Sequence, residues 1–206
     1  MPMHIALNKI SKRYGYQWIL RDVDLTINTG SVLGVNGLNG SGKSTLIKIL
    51  SGFLSPSEGK IDYTLNAKKI SVADVYKSVS WVAPYLSLTD NYTIEEMYKL
   101  HSTFKSMKTK SYKEFVNIIE LSSHQNKYIK DFSSGMQQRL QLGLAILTKS
   151  PLLLLDEPTS YLDSNAIDWY HNLLQNNIND RTVVIASNDE NDLVECESTV
   201  DVLDFK

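Results

Sequence analysis

Phe132-Ser-Ser-Gly-Met-Gln-Gln-Arg139 and, shortly after it, Pro151-Leu-Leu-Leu-Leu-Asp-Glu-Pro158 decide how this chain is read. The second stretch is an apolar run, Leu152–Leu155, that delivers two acids, Asp156 and Glu157. Consecutive leucines of this length fit a strand buried on both faces, as in parallel sheets. Such folds gather ligand chemistry at the C-terminal ends of their strands. The first stretch opens a helix over Ser133–Leu147, with Leu140, Leu144 and Leu147 along one face. Ser133 has the type of an ordinary N-cap. The backbone N–H groups of Ser134 and Gly135 at the same helix start suit an anion equally well.

Far upstream, Gly37-Leu-Asn-Gly-Ser-Gly-Lys-Ser-Thr45 matches G-x-x-x-x-G-K-[ST] in full. From average composition about one random chain in a hundred of this length would match. Here the loop also follows an apolar strand, Ser31–Val35, and opens a helix, Ser44–Leu50, which is the context the motif requires. Its glycines let the backbone wrap closely around phosphate oxygens, and the helix N-terminus favours an anion. Lys43 is expected to reach the β- and γ-phosphates and the Ser44 hydroxyl to ligate Mg²⁺, with Asn39, Gly40, Ser41, Gly42 and Thr45 completing the nucleotide contacts. At the later strand Asp156 would hold Mg²⁺, directly or through water, and Glu157 would polarise the attacking water as general base. Neighbouring side chains of a strand point to opposite sides, which allows the two acids separate roles. The loop alone fits a transporter ATPase, a GTPase or a small kinase. A GTPase calls for an Asn-Lys-x-Asp guanine motif, and the sequence has none.

Around these motifs, β-rich runs at Ile5–Ile10 and Ile19–Ile27 flank a turn at Gly15, and a short strand is expected at Val79–Ala83. Gly52–Gly59 has the composition of a loop. From about residue 90 the texture turns helical, over Thr93–Phe104 and Tyr112–Leu121, with a Thr93/Glu96 capping box. A helix at Ser164–Leu174, a strand at Thr182–Ala186 and a last strand near Val200–Phe205 follow Glu157. The expectation is an α/β fold: a P-loop NTPase core with a mainly parallel sheet, an N-terminal antiparallel β portion and an inserted helical subdomain. We expect a single domain over 1–206, with core 1–89 and 149–206 and the helical subdomain at 90–148.

The length, 206 residues, suits one domain, and 42% hydrophobic with 21% charged residues suits a globular protein. A formal net charge of −2 does not favour nucleic acid as a partner. Cys196 is the only cysteine, so an intrachain disulfide is excluded. No apolar run approaches the roughly 20 residues needed to span a bilayer, and the first residues lack a signal-peptide pattern. A membrane role is therefore expected only through a partner.

The order of these motifs resembles the ABC ATPase family, and the resemblance covers nearly the whole chain. Phe132-Ser133-Ser134-Gly135-Met136 stands where that family carries its Leu-Ser-Gly-Gly-Gln signature, and Leu152–Glu157 is similar to its Walker B strand. Pro158-Thr-Ser-Tyr-Leu-Asp163 looks like its D-loop. The resemblance implies that Ser133, Ser134 and Gly135 contact the γ-phosphate of ATP held by a second nucleotide-binding subunit, most simply a second copy. It implies that an aromatic side chain stacks on adenine, with Tyr14 favoured over Tyr16 and Trp18. Two departures stand out: Pro84 occupies the place of a glutamine that touches Mg²⁺ or the attacking water, and Asn188 that of a histidine on the γ-phosphate. Proline offers no donor, and asparagine only a neutral one. With Glu157, Lys43 and Asn188 as catalytic residues, the implied activity is ATP hydrolysis, slowed by these replacements. The implied protein is the ATP-binding subunit of an ABC transporter, cytoplasmic and peripheral on the inner face of the cell membrane, coupled to transmembrane permease subunits. The alternatives are a soluble ABC-type ATPase, such as one of iron–sulfur assembly, or a dimerisation switch with weak hydrolysis.

Overall fold

A computed structural model describes residues 2–206. The chain forms two compact units. One runs through Ala83 and takes in Ser150–Pro158 and Ile178–Lys206; the other comprises Pro84–Lys149 and Thr159–Asn177.

The strands all lie in the first unit: β1 (Met3–Tyr14), β2 (Gln17–Ile27), β3 (Val32–Asn36), β4 (Glu58–Leu65), β5 (Lys68–Ile70), β6 (Val79–Val82), β7 (Leu152–Asp156), β8 (Thr182–Ser187) and β9 (Ser198–Asp201). They make an antiparallel sheet of order β2-β1-β4-β5 and a parallel sheet of order β6-β7-β8-β3-β9. In the antiparallel sheet, alternate residues of β1 and β4, namely Met3, Ile5, Leu7, Ile61 and Tyr63, are buried. The parallel sheet is apolar throughout its centre: Leu152–Leu155 and Val183–Ala186 are fully buried, as strands covered on both faces must be. Its register sets Asp156 beside Ala186 and Asn36 beside Ser187, so the polar ends of β3, β7 and β8 converge. The helix α1 (Lys43–Leu50) follows β3. The Tyr63 hydroxyl donates to the carbonyls of Ile49 and Leu50 at 3.0 and 3.1 Å, satisfying acceptors that a helix end leaves open.

The hairpin β4–β5 was not legible in the sequence. Its turn residues Asn66 and Ala67 both have positive φ, 53° and 59°, the geometry of a type I′ turn that normally carries Asn-Gly. Alanine at the second place hides the signal. The last strand also ends earlier than expected. β9 stops at Asp201, whose carboxylate accepts the Leu203 N–H at 2.8 Å and starts a single 3-10 turn over Val202–Phe205.

The second unit holds α2 (Ile94–Phe104), α3 (Tyr112–Ile118), α4 (Ser134–Ile146) and α5 (Ser164–Gln175). Each begins with a side-chain cap, from Thr93, Ser111, Ser133 and Asp163 in turn. The Thr93/Glu96 pair forms a full capping box. The Trp169 indole N–H of α5 donates to Ile118 O at 2.8 Å, closing the end of α3. Among the described residues, no helix is long and apolar enough to cross a membrane.

Candidate functional site

At the end of β3 the chain turns through Gly37–Gly42 into α1. Gly42 has φ 114°, and a Cβ there would lie 3.0 Å from the Ile19 side chain, so glycine is required both for conformation and for space. The loop borders a cavity of about 270 Å³ lined by Tyr14, Ile19, Leu38, Asn39, Gly40, Gly42, Lys43, Ser44, Thr45 and Glu157. Lys43 is 5% exposed. Its ammonium donates to Gly37 O at 2.7 Å and pairs with Glu157 Oε1 at 3.0 Å.

Glu157 lies one residue past β7 with φ 49°, and its N–H donates to Ala186 O at 2.7 Å. Glu157 therefore stands just outside the strand in a left-handed conformation, while Asp156 is its last residue. Asp156 is fully buried at the strand end, while Glu157 leans toward the loop. On the other side of Glu157 stands Ser187, the fully buried last residue of β8.

The cavity suits a triphosphate with a hard cation. Nothing lies within 4 Å of where a Gly40 Cβ would be, an ammonium forms the wall, and the Ser44 hydroxyl lines it; Asp156, fully buried at the end of β7, is not among the lining residues. Among the described residues no group of three or more His, Cys, Asp or Glu could hold a metal, so Mg²⁺ would complete its shell with phosphate oxygens and water. Ser41 does not line the cavity: its hydroxyl is buried, facing Gly37, and its N–H donates to Leu38 O at 3.0 Å. Of the three aromatic candidates only Tyr14 lines the cavity, half-exposed with the Lys12 ammonium 5.4 Å from its ring. Tyr16 is fully exposed, and Trp18 has the Arg13 and Arg21 guanidiniums 5.4 and 5.5 Å from its ring.

In the second unit, Ser133, Ser134 and Gly135 line a cleft of about 450 Å³ with Arg139, Tyr161 and Asp163. Ser133 and Ser134 are exposed. The Ser133 hydroxyl accepts the Met136 N–H at 3.3 Å, so it caps α4 in this state. A Cβ on Gly135 would sit 3.0 Å from the Tyr161 carbonyl, so a larger residue there requires that carbonyl to give by a few tenths of an ångström. Arg139 pairs with Glu120 at 2.6 Å and lies over the Trp169 ring at 4.8 Å.

Pro84 and Asn188 are both exposed, and neither lines the cavity around Lys43. Ile19, Leu38 and Ser187 were missed by sequence reasoning. Ile19 and Leu38 carry no chemical signature, and Ser187 reads as the end of an apolar strand. The only hint was its place directly before Asn188.

Comparison with known proteins gives the family. The ABC transporter family model matches residues 20–160, more than half of the chain. The ABC transporter ATP-binding protein YcbN of Bacillus subtilis is 32% identical over 85% of this chain and 57% of its own length. The chain spans about half the length of several such relatives. The glutamate/aspartate import ATP-binding protein GltL of Escherichia coli is 34% identical over 80% of this chain and 71% of its own. Among solved structures, the dimeric bacterial ABC transporter cassette MJ0796 aligns with a TM-score of 0.81 at 26% identity, over 96% of this chain and 94% of that one. A phosphate loop, an acid pair at the end of a core strand and this body of matches place the chain in the ABC transporter family, among its ATP-binding proteins.

Proposed function

We propose that this chain binds Mg-ATP in the cavity of its first unit and hydrolyses it at an interface with a second nucleotide-binding subunit, driving transport by separate transmembrane permease subunits. The observation that carries this reading is the Lys43–Glu157 pair at 3.0 Å in the wall of a loop-lined cavity. A cation for the phosphates and a carboxylate for the water stand together, where phosphoryl transfer needs them. The relatives YcbN and GltL are described as ABC transporter and import ATP-binding proteins, which favours transport over a soluble role.

In this proposal the 206 residues work as one domain, with the helical portion 90–148 inserted into the core 1–89 and 149–206. Tyr14 stacks on adenine, and the N–H groups of the loop, with Lys43, hold the phosphates. Ser44 and, directly or through water, Asp156 would hold Mg²⁺, which would supply charge neutralisation on the phosphate oxygens. Glu157 orients and deprotonates the attacking water. Asn188 offers a neutral hydrogen bond to the γ-phosphate and Pro84 none, so the turnover proposed is slow. Ser133, Ser134 and Gly135 of one copy complete the site of the other at the N-terminus of α4. The chain is held at the inner face of the cell membrane through the permease.

The test is phosphate release by purified chain with ATP and Mg²⁺, beside E157Q. Loss of a general base costs about 100-fold or more in a fast enzyme, and at least about tenfold is expected here. Equal rates for the two proteins would overturn the hydrolysis reading.

A further inference from the structure

Ser187 closes β8 against the acid pair. Its Oγ lies 3.3 Å from Glu157 Oε2 and 2.6 Å from Asp192 Oδ2, and it accepts the Asp189 N–H at 3.0 Å. Asp192 is 1% exposed and sits on the single 3-10 turn Glu190–Leu193 that follows β8. A serine hydroxyl has one proton to donate and two lone pairs. The Asp189 N–H occupies one lone pair and sets the Oγ between the two carboxylates. The 2.6 Å contact has the length of a charge-assisted hydrogen bond, so Asp192 holds the hydroxyl in this rotamer and takes the larger share of its proton.

Glu157 thus has a contact on each oxygen, and the two differ in kind: an ion pair on Oε1, and on Oε2 the longer, weaker arm of a three-centre bond whose single proton is shared with Asp192. Oε1 is held by Lys43, the cation that an incoming triphosphate competes for. Oε2 is met by Ser187, which lies outside the residues lining the cavity. When a phosphate draws Lys43 away, only the second contact remains to fix the carboxylate. A general base is effective only when held within hydrogen-bond reach of its water, and a loosely held one loses rate without losing substrate.

We propose that Ser187, oriented by Asp192, is a positioning residue that keeps the Glu157 carboxylate aligned after nucleotide has taken Lys43. The proposal rests on the hydrolysis reading above.

The experiment compares wild type, S187A, S187T and E157Q for steady-state turnover and for equilibrium ATP affinity. Loss of one hydrogen bond to the carboxylate should lower kcat of S187A about 3- to 10-fold, with ATP affinity within about twofold of wild type. S187T keeps the hydroxyl and adds one methyl at the buried end of β8, and it should recover at least about half of the lost rate. An S187A rate equal to wild type overturns the inference while leaving hydrolysis intact. So does a parallel fall in affinity and rate, which marks a merely structural role, or a threonine variant that binds ATP normally and recovers nothing. A wild-type rate no higher than that of E157Q overturns the hydrolysis reading and this inference with it.

Discussion

At the scale of single residues, the chemistry of the candidate site is a competition for Lys43. Its ammonium is nearly buried, and in the present state it is satisfied by a backbone carbonyl and by Glu157. A phosphate must outbid both, and doing so frees the carboxylate that the proposed reaction uses. The identities of Lys43, Ser44, Asp156 and Glu157 were readable from motif spacing alone. For the proposed adenine partner the resemblance favoured Tyr14, but residue type did not separate it from Tyr16 and Trp18, which stand around the same turn and are chemically suitable too. Only the hairpin geometry turns Tyr14 toward the loop and leaves Tyr16 in solvent. Base–aromatic stacking contributes roughly 1–3 kcal/mol. Y14A should therefore weaken ATP binding by roughly tenfold or more in a fluorescence titration, with Y16A unchanged. Weaker binding by Y16A than by Y14A would reverse the assignment.

At the scale of elements, the helices of the second unit were legible through periodicity and, for Thr93 and Ser133, through their caps; the Ser111 and Asp163 caps appear only in the structure. Thr93, Ser111, Ser133 and Asp163 each stop the chain from entering the helix earlier. The β4–β5 hairpin escaped because Ala67 sits where glycine is usual. On α2, His101 shows how packing changes a side chain's chemistry. Its Nε2 lies 2.7 Å from Thr148 Oγ1, whose own proton goes to Leu144 O at 2.6 Å. With the Thr148 proton on Leu144 O, the arrangement is met by a neutral imidazole donating from Nε2. Burial first, and the Lys105 charge second, depress the His101 pKa from 6.5 to about 4. The folded state thus binds this proton more weakly than the unfolded chain does. The associated stability is complete above about pH 6.5 and is lost as pH falls toward 4. Between pH 7 and pH 5 the loss should be roughly 1–2 kcal/mol, read as a drop in the urea midpoint. H101Q should show a smaller drop over the same interval. An equal drop in both proteins would remove His101 as its source.

At the scale of the whole molecule, the phosphate loop and the signature segment belong to different compact units, and each lines a cleft of its own. The proposed function joins them through a second copy, with nucleotide as the bridge. MJ0796, whose fold this chain shares, is described as a dimer. In sedimentation velocity, E157Q with saturating ATP and Mg²⁺ should shift from monomer toward dimer as concentration rises, and should stay monomeric without nucleotide. A monomer at every ATP concentration would defeat the dimer part of the proposal. The proposed coupling to a permease is equally a property of assembly, which no motif encodes.

Sequence by itself determined the family resemblance, the parallel core strand Leu152–Leu155, the phosphate loop and the acids that follow β7. These are local: they depend on residue type at fixed spacing, and spacing survives any arrangement of the rest of the chain. Tertiary structure alone decided that Glu157 leaves its strand through a left-handed residue to meet Lys43. It alone brought Ser187 and Asp192, from the end of another strand and the turn beyond it, against the same carboxylate. Those contacts depend on the register of β7 beside β8. That register is set by burial of both apolar strands together, so it cannot be read from either one alone.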